Sequence, residues 1–434
     1  MALSFHHRMM QEPQPLILLC CPGDRRSDGI QQARSRLGMP PALLIPYSEL
    51  LRGSSLAELL EQTLHLQTSG RSGLWPEPSG SGPAAAPPLL RLDSPGGSFE
   101  IEQGLIALGA PDAGEQDDSL HPFGHHPDPH PLSLQAAGRL KDMPGVLHHP
   151  SQWFRGYCRL LSRLQREAAE LLPEARWQNH PGDIAAMTDK RRTQQILAES
   201  GVPVPRPLGG GHPPSDYASL RELMITERMH RVFIKLSCGS AASGVIAYQI
   251  NPATGAEIAV TTIGVEQYIT RPPVYYNSGK LRRYTDSADL SGIINWLYSH
   301  GAYAEQWIPK PGAAGVSFDI RQLVVLGEAC HSVARVSTTP ITNLHLRSQR
   351  MSPAEAGLTE EVQEQVRRTA VQALAAFPRS AVAGIDILVS SGSSRRTYAA
   401  DVNPFGDLLY DVEYDGCGTY EWEMKKLNAI ANHE

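Results

Sequence analysis

The sequence predicts an α/β fold that opens with an N-terminal parallel α/β domain. Three observations predict it. Short apolar runs alternate with helical stretches at the start of the chain. A strand bearing a lone lysine runs into a Gly/Ser/Ala loop in its middle. Late in the chain an Asp-x-Asn alternation stands opposite a Gly-Ile-Asp-Ile-Leu run. A length of 434 residues leaves room for about two to four domains at ~100–200 residues each. The composition shifts separate an N-terminal α/β domain, 1–125, and a helical linker, 126–187, from the rest of the chain.

The N-terminal domain opens with Leu16–Cys20, an apolar run suited to a buried strand, followed by helical character over Asp28–Leu37 and a second strand at Ala42–Ile45. Strand–helix–strand order implies parallel pairing with both faces covered. Thr68–Pro88 is rich in Ser, Gly, Pro and Ala and reads as a connection, after which Leu89–Leu92 resumes strand character. His121, His125, His126 and His130 crowd the stretch Asp112–Pro131. Interspersed prolines and the lack of a Cys or an i, i+4 His pair make this a solvated loop rather than a zinc site. Gln152–Leu172 then predicts an amphipathic helix lying on a sheet.

Charge and cysteine content exclude several classes. Lys plus Arg number 39 against 45 Asp plus Glu, a net charge of -6, without the basic surplus of a nucleic-acid binder. No run approaches the ~18 apolar residues of a membrane span, and Leu16–Cys21 is too short for a signal-peptide core. Six cysteines in so long a chain make no disulfide framework and no CxxC pair. The expectation is a cytoplasmic protein that engages neither nucleic acid nor membrane.

The chemistry-bearing residues begin at Thr188. Thr188 or Asp189 caps a helix running to Ser200, so Lys190 lies in its first turn, beside the positive end of the helix dipole. A lysine placed there implies an anionic partner. Val232–Leu236 is a strand carrying Lys235, and the following loop, Ser237–Val245, includes Ser240, Ser243 and Gly244. Small residues there allow close backbone approach to phosphate oxygens, although the loop is neither a Walker A nor a GxGxxG motif. Glu305, Gln306, Trp307 and Ile308 end a short strand at Pro309. Phe318–Val325 and Ala329–Val336 form a hairpin about Gly327-Glu328 that carries Asp319, Arg321 and Arg335. A plain two-residue turn there would put the two arginines on opposite faces. A bulge or wider turn near Gly327–Ala329 would bring them together.

The last hairpin is the most informative. Pairing Ser390 with Thr397 sets Asp386 directly across from Asp401, with Asn403 two residues on and therefore on the same face. Two carboxylates and an amide oxygen ~5 Å apart repel one another and want a hard cation, Mg²⁺ or Mn²⁺.

In order and content these stretches resemble the ATP-grasp superfamily, especially the glutathione synthetase and ribosomal-protein glutamate ligase branch, with a bacterial subfamily as the expected home. The resemblance runs from Met187-Thr188-Asp189-Lys190 to Asp401-Val402-Asn403-Pro404. It implies an ATP-grasp fold in which the N-terminal parallel α/β domain is followed by two α+β subdomains, 188–300 and 301–434, that clasp ATP between them, and a carboxylate–amine (or –thiol) ligase that works through an acyl phosphate and releases ADP. Its partners would be ATP, a small-molecule or peptide carboxylate and an amine acceptor, and a homo-oligomer is compatible with it. Alternatives are a small-molecule kinase on the same site, or a non-catalytic nucleotide-binding regulator. The resemblance assigns Lys190, Lys235, Ser240, Ser243 and Gly244 to the phosphates. It gives Glu305-Gln306-Trp307-Ile308 to the adenine edge, Asp386, Asp401 and Asn403 to magnesium, Arg321 and Arg335 to the phosphoryl group, and Asn343 to the reacting carboxylate. Three positions depart from the family pattern. Asp401 stands where Glu is usual, no acidic ribose partner lies between Lys310 and Ser317, and Leu346-Arg347 replaces a Gly-Gly.

Overall fold

The computed structural model describes residues 13–68, 86–114, 117–121, 128–210, 212–239, 243–312, 316–342, 349–393, 395–407 and 409–431. Among them it is a mixed α/β structure of three sheets. The first is parallel. Its strands β1 (Leu16–Cys20), β2 (Leu43–Pro46), β3 (Leu89–Leu92) and β4 (Arg176–Trp177) lie in the order β2-β1-β3-β4. Helices α1 (Arg25–Arg36), α2 (Tyr47–Leu51), α3 (Leu56–Thr68), α4 (Phe99–Leu108) and α5 (Leu134–Ala137) accompany it, with α6 (Pro150–Leu171). β1 is apolar and buried at all five positions, as a strand covered on both faces must be. α6 crosses α4 at Gly109 and Gly156, where a Cβ on Gly156 would fall 1.8 Å from the Leu105 carbonyl oxygen, so the two backbones touch only because both residues are glycine.

Next come α7 (Pro181–Thr188), α8 (Lys190–Glu199) and α9 (Tyr217–Thr226), then β5 (Arg231–Lys235), β6 (Val245–Ile250), β7 (Glu257–Glu266), β8 (Val274–Tyr284), α10 (Ser287–Ser299) and β9 (Tyr303–Gln306). These five strands form an antiparallel sheet ordered β8-β7-β6-β5-β9. The sheet takes its last strand, β9, from beyond residue 300, because Phe233 pairs with Glu305. The third sheet, β12-β11-β10-β13-β14, is built from β10 (Ser317–Val325), β11 (Glu328–Ser337), β12 (Gln349–Met351), β13 (Val382–Val389) and β14 (Thr397–Asn403). α11 (Glu360–Ala375) covers it, and α12 (Thr419–Ala431) returns to the parallel sheet, where Tyr420 and Trp422 pack with Leu16 and Leu18.

Period-two alternation decides what each antiparallel sheet offers the other. In β5, Val232 and Ile234 pack under α9 and α10, leaving Phe233 and Lys235 on the opposite face. In β10 and β13, Ile320, Ile385 and Ile387 pack under α11, leaving Asp319, Arg321, Asp386 and Leu388 on the opposite face. These two faces line one cleft of about 630 Å³. No helix among the described residues is long and apolar enough to cross a membrane. The six cysteines are unpaired.

Candidate functional site

Two hairpin registers build the floor of the cleft. In the first, Val325 pairs with Glu328, so the two turn residues are Leu326 and Gly327, both at positive φ (51° and 77°). The expected turn at Gly327-Glu328 is therefore displaced by one residue. This is the type I′ geometry whose twist suits a hairpin, and a hydrogen bond from the Leu326 amide to the Ala381 carbonyl (2.6 Å) holds the strained leucine. A bulge follows further along than expected, opposite Leu323, with Cys330 and His331 occupying the space of one residue. The Gln322 side chain donates to both of their carbonyls at 3.2 Å. Beyond the bulge Asp319 lies across from Arg335, and Arg321, two residues on from Asp319, shares that face.

In the second hairpin Val389, not Ser390, pairs with Thr397, because the loop spans one residue more than expected. Taken alone, that shift would turn Asp401 to the other face. An extra residue on β14, Ala400, cancels it, and Asp386 pairs with Asp401 after all. The bulge also frees the Ala400 carbonyl to accept from Lys235 Nζ (3.4 Å) and Gln194 Nε2 (3.0 Å).

Charges therefore run in a row across four strands. Arg335 donates through Nε to Asp319 (2.7 Å) and reaches Asp386 with Nη2 (3.1 Å). Arg321 Nε lies 3.0 Å from the other Asp386 oxygen and 3.1 Å from Asp407. The two guanidinium groups thus share one carboxylate, as a joint role requires. Asp401 is ion-paired to Lys190, and Lys235 pairs with Glu305 at 2.6 Å. Lys190 heads α8, whose N-terminus Asp189 caps by accepting from the amides of Arg191 (2.9 Å) and Arg192 (3.1 Å). The anionic partner implied by its position is Asp401.

This pairing corrects one expectation. Asp386 and Asp401 were expected to repel one another. Burial alone would raise Asp401, but Lys190 and then Lys235 outweigh it and hold the carboxyl below its usual range. Burial likewise opposes the Lys235 charge, and Glu305 followed by Asp401 more than offsets that. Lys235 is accordingly no free surface lysine. Truncating it strands a buried glutamate, so Lys235→Ala is expected to cost fold stability as well as any ligand affinity.

Asp189 behaves oppositely. It is only 2% exposed, and burial pushes its carboxyl up to about 6 from 3.8, against the pull of the Arg192 amide. A raised carboxyl favours the fold below pH ~4 and loses that advantage as pH rises through about 6. Asn caps a helix as well as Asp. Asp189→Asn is therefore expected to unfold later than the unsubstituted protein at pH 7–8, by ~1–3 kcal/mol, with the curves converging near pH 4. Thermal melts across that range check it.

The remaining expected residues divide. Ser243 accepts from Asn277 Nδ2 (2.8 Å), and Gly244 adopts φ +68°, where a Cβ would meet Leu236 at 2.6 Å. Gln306, Trp307 and Ile308 do not line the cleft: Trp307 packs on Phe233, and Ile308 on Leu388 and Ala400. The Gln306 and Trp307 amides already donate to the Arg206 and Arg231 carbonyls, so of the three only the Ile308 amide is without a backbone acceptor among the described residues. Ser240, Asn343 and Leu346-Arg347, like His125 and His126, lie outside the described residues. Of the other histidines in that stretch, His121 is buried against the Phe154 ring rather than solvated.

Cleft residues that were not assigned from the sequence include Asp319, Lys310, Thr342 and Asp407. Asp319 accepts from Arg335 and from the Thr342 hydroxyl, and Lys310 Nζ bonds the same hydroxyl at 2.5 Å. The signal for Asp319 was its place two residues before Arg321. Asp407 follows an irregular turn at Gly406 and carried none.

The donor set fits a hard cation. Asp386 Oδ1 is buried and, though 3.0 Å from Arg321 Nε, accepts no hydrogen bond among the described residues, and Asn403 spends its NH₂ on the Gly384 carbonyl (2.9 Å), which leaves its oxygen for a ligand. Among the described residues no three His, Cys, Asp or Glu side chains gather to hold a metal, so this oxygen set with its single amide is the candidate.

No family model and no curated protein matches the chain. Three solved structures illustrate its distant likenesses. The first is the ATP-grasp ligase PsnB complexed with a phosphomimetic variant of its minimal precursor, Mg and ADP (14% identity over 98% of this chain and 99% of that one, TM-score 0.46). The second is D-cycloserine synthetase DcsG (11%, 96% and 99%, TM-score 0.48). The third is biotin carboxylase from Campylobacter jejuni in its β,γ-ATP complex (12%, 95% and 70%, TM-score 0.47). At that distance the chemistry of the cleft rests on the chain's own residues.

Proposed function

We propose that the protein is an ATP-dependent ligase of the ATP-grasp type, joining a carboxylate to an amine through an acyl phosphate and releasing ADP and phosphate. One observation carries the reading. Four cations from four different elements, Lys190, Lys235, Arg321 and Arg335, converge on the carboxylates Asp386, Asp401 and Glu305 in a cleft between two sheets. Such a site suits a polyanion delivered with a cation of its own. Asp386, Asp401 and Asn403 would hold Mg²⁺, which supplies charge neutralisation along a triphosphate. Lys190 would leave Asp401 for the phosphates, Lys235 would meet them from the opposite sheet, and Phe233, Val245 and Leu388 would flank the base.

Phosphoryl transfer asks a protein mainly for alignment and charge. A substrate carboxylate oxygen would attack the γ-phosphorus, and ADP would leave with the bond pair. Arg321 and Arg335 would stabilise the equatorial oxygens in flight. An amine nitrogen would then attack the acyl carbon, and phosphate would depart with the C–O pair.

Two measurements test this. Lys190→Ala should weaken ATP binding by ~1.5–3 kcal/mol, read by calorimetry at fixed magnesium. Turnover with candidate carboxylates should yield ADP only when an amine is present as well. A stable phosphorylated product formed without amine would make the protein a kinase, and an absence of nucleotide binding would overturn the reading altogether.

A further inference from the structure

The C-terminal helix α12 carries a buried charge that the proposed ligase chemistry leaves unused. Its Glu423 pairs with Arg91 of β3 at 2.6 Å, and the two side chains are 0% and 1% exposed. A pair sealed from water in this way adds little stability over apolar residues of the same volume. What an apolar residue cannot do is hold several polar atoms at once. Arg91 Nη1 donates to Gln178 Oε1 (3.0 Å) as well as to Glu423, and Nη2 donates to the Phe405 carbonyl (3.3 Å).

Phe405 belongs to the segment that leaves β14 after Asn403. Asn179 Nδ2 donates to the Pro404 carbonyl, and Arg26 Nη1 shares the Phe405 carbonyl with Arg91 at 3.3 Å. Gly406 turns at φ +63° directly against Glu423, where a Cβ would fall 2.7 Å from Oε1. That carboxylate oxygen is buried with no hydrogen-bond partner among the described residues. The Gly406 carbonyl rests in turn on Gly384, 3.2 Å from where a Cβ of Gly384 would stand. The segment then sets Asp407 at 3.1 Å from Arg321 Nε, while Arg321 Nη1 donates to the Gly384 carbonyl (3.2 Å). Packed polar contacts therefore run without a break from Glu423 through Arg91, Phe405, Gly406 and Asp407 to Arg321. Asn403 is held separately, by its ladder pairing with Gly384 and its bond to that carbonyl.

We propose that Glu423 and Arg91 are positioning residues for phosphoryl transfer. The pair fixes segment 404–407 and, through Asp407, aims the Arg321 guanidinium at the phosphoryl group in flight. The assignment rests on the ligase reading, and the two fail differently. Calorimetry on the full chain with Mg²⁺ would compare ADP alone with ADP plus aluminium fluoride, a mimic of the transferring phosphoryl group. The unsubstituted protein should bind ADP, and bind it more tightly with the fluoride. Glu423→Gln should keep its affinity for ADP and lose roughly tenfold or more for the mimic, because misplacing a group that acts only in the transition state leaves the ground state alone. That variant strands a buried arginine, so Arg91→Met/Glu423→Leu is the second. Apolar replacement of a buried pair is often neutral for the fold. The double variant should melt close to the unsubstituted protein and still lose the mimic, a loss that a merely structural pair would not produce. Asp407→Asn should show the same loss, and adding Glu423→Gln to it should cost little more, since the pair acts through Asp407. Full affinity for the mimic in either pair variant, unfolding of the double variant, or additive losses with Asp407→Asn would overturn the positioning role. An unsubstituted protein that binds no ADP, or gains nothing from the fluoride, would overturn the ligase reading instead.

Discussion

Asp386→Asn is expected to lower magnesium-dependent ATP turnover by about three orders of magnitude while leaving thermal unfolding almost unchanged. Loss of a single charge-stabilising group at a reacting centre costs ~10²–10³ in rate, and Asp386 serves twice. It is the carboxylate that Arg321 and Arg335 share, and it belongs to the proposed cation set. The small effect on the fold follows from redundancy. Arg335 retains Asp319 at 2.7 Å and Arg321 retains Asp407 at 3.1 Å, so neither buried cation is stranded. Asn also preserves the volume. Asp401→Asn differs, because Asp401 is the sole carboxylate paired with Lys190 among the described residues, and stability should fall there with activity. Turnover assays beside melts of the two variants separate the cases. Unimpaired turnover in Asp386→Asn would remove it from the site.

Much of the element order was legible because the period-two and helical patterns are undisturbed along most of the chain. β1 and β3 fall where their apolar runs place them, and Asp189 is the cap that the helix start required. α6 begins at Pro150 rather than Gln152, since proline is tolerated at a first helical position. Partners remote in sequence were not legible. Arg91 of β3 forms a fully buried ion pair with Glu423 of α12 at 2.6 Å. Neither segment signals the other, because only the packed fold brings them together.

The site shows the same division at finer scale. Opposition of Asp386 and Asp401 was the right geometry reached through the wrong register: the loop is one residue longer and the bulge at Ala400 restores the alignment. A hairpin's pairing depends on turn geometry, which Ser391–Arg396 does not specify by composition. Convergence of Arg321 and Arg335 likewise needed a bulge, but it falls at Gln322–Val324, where the Gln322 amide group bonds the buried carbonyls of Cys330 and His331. The electrostatics were misjudged for a simpler reason. Two facing carboxylates were weighed alone, whereas the arginines and Lys190 arrive from other elements to neutralise them.

The largest stability loss is expected from Asp319→Ala. Asp319 holds Arg335 at 2.7 Å, accepts from the Thr342 hydroxyl and lies 3.6 Å from Lys310, with the cationic side chains only 4% and 7% exposed. Removing it leaves Arg335 with Asp386 alone, which Arg321 shares, and Lys310 with no carboxylate partner among the described residues. Breaking a buried pair in this way costs ~3–5 kcal/mol, because the surviving charge keeps its desolvation penalty without its partner. Burial would raise the Asp319 carboxyl, but Arg335 and then Lys310 outweigh it and hold it below the usual range. A carboxyl lowered by folding stabilises above its unfolded value of about 4, and the benefit fades as pH falls through the lower folded value. The gap between the unsubstituted protein and Asp319→Ala should therefore be full at pH 6–8 and shrink only in acid. Burial already pushes Lys310 down, so without Asp319 it should shed its proton more readily, and the variant's deficit should ease toward alkaline pH. Asp319→Asn, which can still bond Thr342, should lose less than Ala. Denaturant unfolding from pH 3 to 9 measures all three trends. A flat profile with Asp319→Ala as stable as the unsubstituted protein would mean that the buried charges balance through Asp386 alone.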